Sequence, residues 1–389
     1  MNSGRYVLSQ VLDLVHRQTL GRLVESSDAE SRARPCRCRQ QLICMAFAQL
    51  TWREGLRDIA TCLNAKPEAL DHLGFREPVA KSTLADANEQ RDWRLWEDLA
   101  RGLMRKARTL PAGEDLGLEL ENTVYALDST TIDLSLTLFP WADFRRTKAG
   151  IKLHPQIDLR GPIPTCIHIT GARRHDVLWL DELLFEPGAI HVMDRGCMDF
   201  KRLNRIAAAG AFFVTRAKDN LRFSRQRPLP VDYPAGLRSD QVGKPALAKA
   251  RDACPGLLRK VRCFDADTGR DLVFLTNHLQ IPALSVAEID RLRWRIELFF
   301  RWIKGHLPIQ HYHGTSPHAV KTQIWIAVAV CLMVAILHKQ LALPGTLHRT
   351  LQLLGVHPFA KMPLHELLAQ TNFNSLPSPD RSQMTLFDL

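Results

Sequence analysis

The sequence lacks the marks of several common protein classes. Its nine cysteines are an odd, scattered set with no Cys-x-x-Cys pair, and Cys36-Arg-Cys38 is too tight for half of a zinc knuckle. A reduced, intracellular chain is the simplest account. The N-terminus, Met-Asn-Ser-Gly-Arg-Tyr, has no apolar signal core. Ile324 to Leu337 is an uncharged apolar run of 14 residues, short of the ~20 that a membrane span needs. It predicts a central core helix in a cytoplasmic protein with no membrane partner. No repeat of solenoid type is present. Tryptophan is missing between residues 195 and 293.

What the chain does contain is a large apolar fraction and an excess of positive charge. With 389 residues, 46% hydrophobic and 24% charged, it is globular and expected to form two or three domains. A net charge of +11 and a pI near 9.4 favour an anionic partner, nucleic acid before membrane. The charge is concentrated. Residues 216–262 hold 12 Lys and Arg against 4 Asp, an excess of 8 that supplies most of the total. Pro228, Pro230, Pro234 and Pro255 make this stretch loop-rich. It reads as a β-rich insertion whose cations, Lys218 among them, suit a phosphate backbone.

Residues 1 to about 110 read as all-helical. Leu42, Met45, Ala46 and Leu50 have helical spacing, with a break near Thr51 and Gly55. Ser82 is a plausible N-cap for a helix running through Trp93 and Trp96 to about Arg108. Lys81, Arg91 and Arg94 near that helix permit a DNA-reading module, although helical bundles of other purpose look the same. After a loop at 111–117 the pattern turns to strands. Val124 to Leu127 is an apolar run ending in Asp128. Gly150 to Leu159 and Thr165 to Thr170 flank a turn and predict a hairpin. Ala189 to Met193 ends in Asp194, Ala211 to Thr215 is a further strand, and Leu257–Cys263 and Asp271–Thr276 are strand-like. Phe200 to Ala209 and Asp181 to Phe185 read as helical. The region is α/β with a mixed sheet. Leu347–Leu354 and Leu364–Ala369 are short helices before a proline-containing linker.

Glu288 to Lys304 reads as one helix. Asp290, Arg293, Glu297, Arg301 and Lys304 fall on one narrow stripe at ~100° per residue, and Ile289, Leu292, Ile296, Leu298, Phe299, Phe300, Trp302 and Ile303 fill most of the rest. That is a helix buried nearly all round, with one carboxylate left among cations. Asp128 and Asp194 stand at strand ends, where open α/β sheets bind ligands. If the helix packs across the sheet, Glu297 joins them. Three carboxylates suit Mg²⁺ or Mn²⁺, and two such ions can activate a water and stabilise a leaving oxygen. His154, His168, His175 and His191 show no zinc-ligand spacing. Asp158 reads as a turn residue, Asp176 as a helix cap and Glu288 as a first-turn acid.

Ordered blocks of the sequence resemble one family. Asp128-Ser-Thr-Thr, Lys148-Ala-Gly-Ile-Lys-Leu-His, His191-Val-Met-Asp194-Arg-Gly and Arg293-x3-Glu297-x6-Lys304 are similar to the DDE transposases of the insertion-sequence-four type. The similarity starts near Met1, includes Met45-Ala-Phe-Ala-Gln-Leu-Thr-Trp-Arg-Glu and Ser82-Thr-Leu-Ala-Asp-Ala-Asn, and runs to about residue 340. The resemblance implies an N-terminal helical DNA-binding module over 1–110. It implies an RNase H-like catalytic domain over 118–345, with a basic insertion at about 216–284. Residues 346–389 would be C-terminal helices and tail. Asp128, Asp194 and Glu297 would be the catalytic, metal-binding triad, holding two Mg²⁺ or Mn²⁺ ions. Arg293 and Lys304 would contact transposon-end DNA, with Lys148 and Lys152 further candidates. Trp294 reads either as a base-stacking platform or as core. The implied reaction is hydrolysis at the element's terminal inverted repeats and joining of the 3′ ends to target DNA, by a synaptic homodimer in the bacterial nucleoid. A metal-dependent nuclease without strand transfer and a cleavage-deficient end-binding remnant are the alternatives. One departure is notable: the family's Tyr-x2-Arg-x3-Glu-x6-Lys signature has Asp290 in place of Tyr, which implies weaker binding of the ends. Some relatives stack a flipped base on an insertion tryptophan, where this chain has only Phe223, Tyr233, Phe264 and Phe274.

Gln383-Met-Thr-Leu-Phe-Asp-Leu389 resembles the peptides by which bacterial DNA-processing proteins dock on the replication sliding clamp. A tail peptide that includes these residues is expected to bind the clamp and one ending at Ser382 is not. Equal binding of the two in a fluorescence-polarisation titration would remove the assignment.

Overall fold

Val-Tyr-Ala-Leu at 124–127 and Ile-His-Val-Met at 190–193 are buried at every position. Short strands buried on both faces carry continuous apolar runs because parallel sheets are covered on both sides. They form the centre of this fold. The computed structural model describes residues 4–27, 36–110, 122–145, 148–161, 163–266, 268–306, 312–343 and 346–369. The clamp-like tail lies outside the described residues, as do the side chains of Arg295, Leu298, Arg301 and Trp302.

Before the first strand come α1 (Val7–Leu12), α2 (Arg17–Ser27), α3 (Cys38–Leu50), α4 (Leu56–Asn64), α5 (Pro67–Leu73), α6 (Lys81–Gln90) and α7 (Arg94–Arg108). The sheet then begins with β1 (Val124–Leu127), β2 (Thr130–Leu134), β3 (Asp143–Arg145), β4 (Lys148–Asp158) and β5 (Ile163–Gly171). It continues through β6 (Ile190–Met193), α8 (Phe200–Ala208) and β7 (Phe212–Arg216). The insertion supplies β8 (Phe223–Pro228), β9 (Leu237–Pro245), α9 (Ala248–Ala253), β10 (Leu258–Asp265) and β11 (Arg270–Thr276). Helices α10 (Ala283–Leu292), α11 (Trp294–His306), α12 (Pro317–Gln340), α13 (Leu347–Val356) and α14 (Leu364–Ala369) follow.

The strands form one sheet in the order β2-β4-β1-β6-β7-β11-β10-β9-β8, with β3 and β5 also paired to β4. β1 is antiparallel to β4 and parallel to β6, which is parallel to β7. This is the RNase H-like core. The insertion continues the same sheet, because β11 pairs antiparallel with β7. Its outer edge, β8, closes on β9 only because position 243 is glycine: a Cβ there would collide with the Ser224 carbonyl oxygen.

Alternation along the central strands sorts side chains to two faces. Val124, Ala126, Val192 and Val214 join a continuous core that includes Val7, Phe47, Trp96 and Leu354. Leu127, Met193 and Phe213 face Leu203 and Ile206 of α8 instead. Helix α12 ties the larger core together. It packs on α3, α6 and α7 on one side and on α1 and α13 elsewhere. By length and composition α12 passes as a membrane span, yet 94% of its most apolar window is buried in the protein. The helical N-terminal segment therefore shares its core with the sheet.

Several expectations are corrected by the structure. The helix expected from Ser82 to Arg108 is two, with a break after Gln90, and the cap of α6 is Ala80 without a side-chain bond. Arg91 sits at that break, only 2% exposed. Its guanidinium donates to Gln41 and to the Cys36 carbonyl, which removes it from any DNA surface. The helical turn expected at Asp181 to Phe185 lies earlier, as a 3-10 segment at Asp176–Asp181 capped by His175. Glu288 lies in the second turn of α10, past the first turn, which holds no acid. Asp158 does occupy a turn, accepting the Arg160 backbone N–H at 3.1 Å.

Leu332 is 2% exposed in the middle of α12. Leu332→Ala is expected to lower unfolding free energy by ~2–5 kcal/mol, read from the urea midpoint by circular dichroism. An unchanged midpoint would contradict the position of α12 at the centre of the core.

Candidate active site

Leu127 and Met193 are paired residues of adjacent parallel strands. Asp128 and Asp194 come next in each, so residues 66 apart in sequence meet at one sheet edge, about one strand spacing (~4.8 Å) from each other. β7 extends the row. Thr215 pairs with Met193, which puts Arg216 in line with Asp194. Two carboxylates and a guanidinium thus lie side by side at the carboxyl ends of three parallel strands, where open α/β sheets hold ligands.

The third carboxylate arrives on a different element. The expected single helix over Glu288–Lys304 is broken at Arg293, which ends α10 before Trp294 starts α11. Ile296, Phe299, Phe300 and Ile303 are buried, so α11 presents one apolar face inward at i, i+3, i+4, i+7 spacing. Glu297 and Lys304 lie off that face, half-buried and exposed respectively. Arg293 keeps right-handed helical backbone and its side chain is largely buried. Its Nη1 donates to Asp128 Oδ2 at 2.9 Å and lies 3.9 Å from Glu297 Oε1. Asp128 and Glu297 are joined through this guanidinium.

Asp290 also departs from its expected place. The stripe put its carboxylate beside DNA, but its side chain is 1% exposed and pairs with Arg216 at 2.8 Å. Asp290 and Glu297 both stay within 3.9 Å of the Arg293 guanidinium, and it is the packing of α10 on β7 that buries Asp290 against Arg216. Trp294, at the start of α11, is 53% exposed, which decides against the core reading of this residue.

Burial pushes the Asp128 carboxyl above its usual range. The Ser129 N–H and Arg293 oppose that rise, while the charges of Asp194 and Glu297 add to it. Those last two causes are themselves geometric: Asp194 and Glu297 are each near enough to Asp128 to repel its charge. The thiol of Cys197, just past Asp194, is pushed up to about 12 by burial and by the charges of Asp128, Asp176 and Asp194. It is an inert thiol.

Asp176 was missed as a site residue. It does not cap a helix but accepts from Lys152 Nζ at 3.0 Å. Burial would raise its carboxyl; hydrogen bonds from Ser129 and Lys152 hold it below the ordinary value. Ser129 follows Asp128 directly, so this pair braces the β1 end. The available signal was Lys152 inside the Lys148–His154 block. Lys148 itself is exposed at the start of β4. Lys218 follows β7 and donates to the Met198 carbonyl at 3.1 Å, next to the loop after Asp194.

The donor type suits a hard divalent cation: Asp128 and Asp194 stand at the sheet edge, and Glu297 of α11 is near enough for its charge to act on Asp128. The set is not a closed coordination shell. Among the described residues no three His, Cys, Asp or Glu side chains stand close enough together to hold an ion, and Arg293 occupies the interval between Asp128 and Glu297.

The insertion uses part of its charge internally. Arg259 is 5% exposed and pairs with Asp240 at 2.6 Å. Arg262 pairs with Asp271 at 2.7 Å. Arg222, Arg225 and Arg227 stay exposed on and beside the edge strand β8. Of the insertion aromatics, Tyr233 and Phe264 are 63% and 41% exposed, whereas Phe274 is buried. Lys260 lies over the Phe223 ring at 5.2 Å.

Residues 119–334 match the family model described as Transposase DDE domain. The chain belongs to that family. The match runs from just before β1 into α12 and takes in all three acids. Residues 3–76 match a second model, Domain of unknown function (DUF4372). Three curated relatives carry transposase in their names. The protein y4zB of Sinorhizobium fredii is 35% identical over 205 residues, which is 52% of this chain and 57% of that protein. The protein named for insertion sequence element IS5377 of Geobacillus stearothermophilus is 27% identical over 225 residues, 57% of this chain and 59% of its own. The protein named for insertion sequence element IS4SA of Synechocystis is 24% identical over 274 residues, 67% of this chain and 72% of its own. The aligned part thus spans less than two thirds of the first two relatives.

His191, three residues before Asp194, is fully buried, and burial lowers its imidazole to about 4; His154 on β4 is likewise lowered to about 4. A folded pKa below the unfolded ~6.5 means that the unfolded chain takes up protons first. Stability is whole above pH ~6.5 and falls between ~6.5 and 4. From pH 6.5 to 5 the expected loss is about 2 kcal/mol for each histidine. Thermal midpoints across this range should fall less steeply for His191→Phe than for the parent; parallel curves would contradict the assignment.

Proposed function

We propose that this chain is a DNA transposase. It cleaves the ends of its insertion sequence by divalent-metal-dependent hydrolysis and joins the 3′ ends to target DNA. The observation that carries the reading is the register of β1 with β6, which sets Asp128 beside Asp194, together with Arg293, which links Asp128 to Glu297.

Asp128, Asp194 and Glu297 are the residues that would hold the metal. Bound Mg²⁺ or Mn²⁺, as a pair of ions, supplies the charge that activates the attacking water or hydroxyl and stabilises the leaving oxygen. The other site residues position the strand. Lys304, Lys218 and Lys148 offer point charges to phosphates, Arg293 a fork suited to them, and the exposed Trp294 a stacking face. Arg222, Arg225 and Arg227 lie on the far edge of the sheet, five strands from β6 and so up to ~24 Å away. That is roughly the rise of seven nucleotides at ~3.4 Å each, a suitable span for a duplex leading to the site. Residues 1–110 are read as the DNA-binding module, with Lys81 and Arg94 exposed. A synaptic homodimer and clamp docking through Gln383–Leu389 complete the proposal.

The reading as a cleavage-deficient remnant rested on Asp290 facing DNA. Its buried pair with Arg216 removes that support. A nuclease without strand transfer is separated by product analysis. Purified protein with Mn²⁺ and a donor plasmid carrying the element's inverted repeats is expected to give cut ends and strand-transfer joints. Nicks alone would favour the nuclease. Glu297→Gln should lose activity by ~1000-fold or more; cutting at the parent's rate would sink the active-site assignment.

A further inference from the structure

Arg293 faces acids at both ends of its guanidinium. Nη1 is bonded to Asp128, and Nε points at Asp290 Oδ1 from 3.9 Å. That separation is about 1 Å too long for a hydrogen bond. Both Arg293 Nε and Asp290 Oδ1 are buried, and neither has a hydrogen-bond partner. Buried donors and acceptors are nearly always paired in folded proteins, so a complementary couple left open face to face marks a bond that belongs to another arrangement.

Asp290 is in no position to approach. Its Oδ2 accepts from Arg216 Nε at 2.9 Å and Nη2 at 2.8 Å, and Arg216 is anchored at the end of β7. Arg293 is the partner that can move, for its other bond goes to a carboxylate that is 22% exposed. There its charge stands between Asp128 and Glu297, the interval that a cation bound to both would enter. Two cations cannot share that interval cheaply at such range.

We propose that Arg293 is the internal counter-cation of the metal-free site, and that Asp290 is the positioning residue that receives it when a divalent ion enters. The inference rests on the reading of Asp128, Asp194 and Glu297 as metal ligands. Displacement of Arg293 from Asp128 closes Nε–H on Asp290 Oδ1 and satisfies both orphan groups. Asp290 then has a use that the signature's Tyr, a neutral side chain, does not offer.

The test measures Mn²⁺ affinity of the full chain without DNA, from the loss of the free-ion electron paramagnetic resonance signal. Arg293→Gln is expected to bind Mn²⁺ ~10-fold more tightly than the parent. Arg293→Lys, which keeps the charge, should bind no more tightly than the parent. Asp290→Asn should weaken binding several-fold in the parent background, at ~3-fold or more, and have no effect in the Arg293→Gln background. Thermal midpoints accompany each variant, since a merely structural Asp290 would shift the midpoint and leave affinity alone. If Arg293→Gln binds like the parent, or Arg293→Lys as tightly as Arg293→Gln, the counter-cation is overturned. An equal Asp290→Asn effect in both backgrounds would mean a general field and overturn the receiving carboxylate. Asp128→Asn distinguishes the premise. Mn²⁺ binding that survives it refutes the metal site itself; binding abolished by it, with Arg293→Gln unchanged, refutes only the role given to Arg293.

Discussion

Parallel pairing of β1 with β6 is the constraint on which the site depends. A one-residue slip in a strand sends every side chain to the opposite face. Here a slip would also move Asp194 one step along the sheet edge relative to Asp128. The register is held by apolar burial on both faces: Val124, Ala126 and Val192 in one core, Leu127 and Met193 in the other. The strands are only four residues each, so little of that burial is redundant. Asp128 and Asp194 are polar, yet their placement is decided by the apolar residues immediately before them.

Gathering acids at one edge costs electrostatic energy, and the surrounding cations show how the fold manages it. Arg293 is set against Asp128, Arg216 against Asp290, and Lys152 against Asp176. Each cation comes from a different element: the helix break, the end of β7 and the middle of β4. Partly buried pairs of this kind give modest net stability, since desolvation and solvent screening offset attraction. Their effect is on geometry. Removing any one cation leaves an acid uncompensated beside others of the same charge.

Much of this was legible in the sequence because strand ends and apolar runs are local signals. Asp128 and Asp194 could be located from Val124–Leu127 and Ala189–Met193 alone, and the hairpin of β4 with β5 from its turn. Helix α12 was visible as a charge-free run. The break at Arg293 was not visible, since no Gly or Pro marks it and the hydrophobic period continues through it. Nor was the packing of α10 on β7, which buries Asp290 against Arg216. Arg91 and Asp176 were misassigned for a related reason: what a charged group pairs with depends on partners distant in sequence, Gln41 for one and Lys152 for the other. The insertion's composition revealed its excess charge but not which arginines are spent on Asp240, Asp271 and Asp290.

Helix α12 follows Asp128, Asp194 and Glu297 in the chain yet supplies the surface on which α3, α6 and α7 pack. The tail of α13 reaches back as well, since Val7 and Leu8 donate their backbone N–H groups to the carbonyls of Ala360 and Pro358. During synthesis α3, α6 and α7 gain their contacts with α12 only after every strand of the sheet has been made. The layout ties completion of the N-terminal core to the arrival of α12.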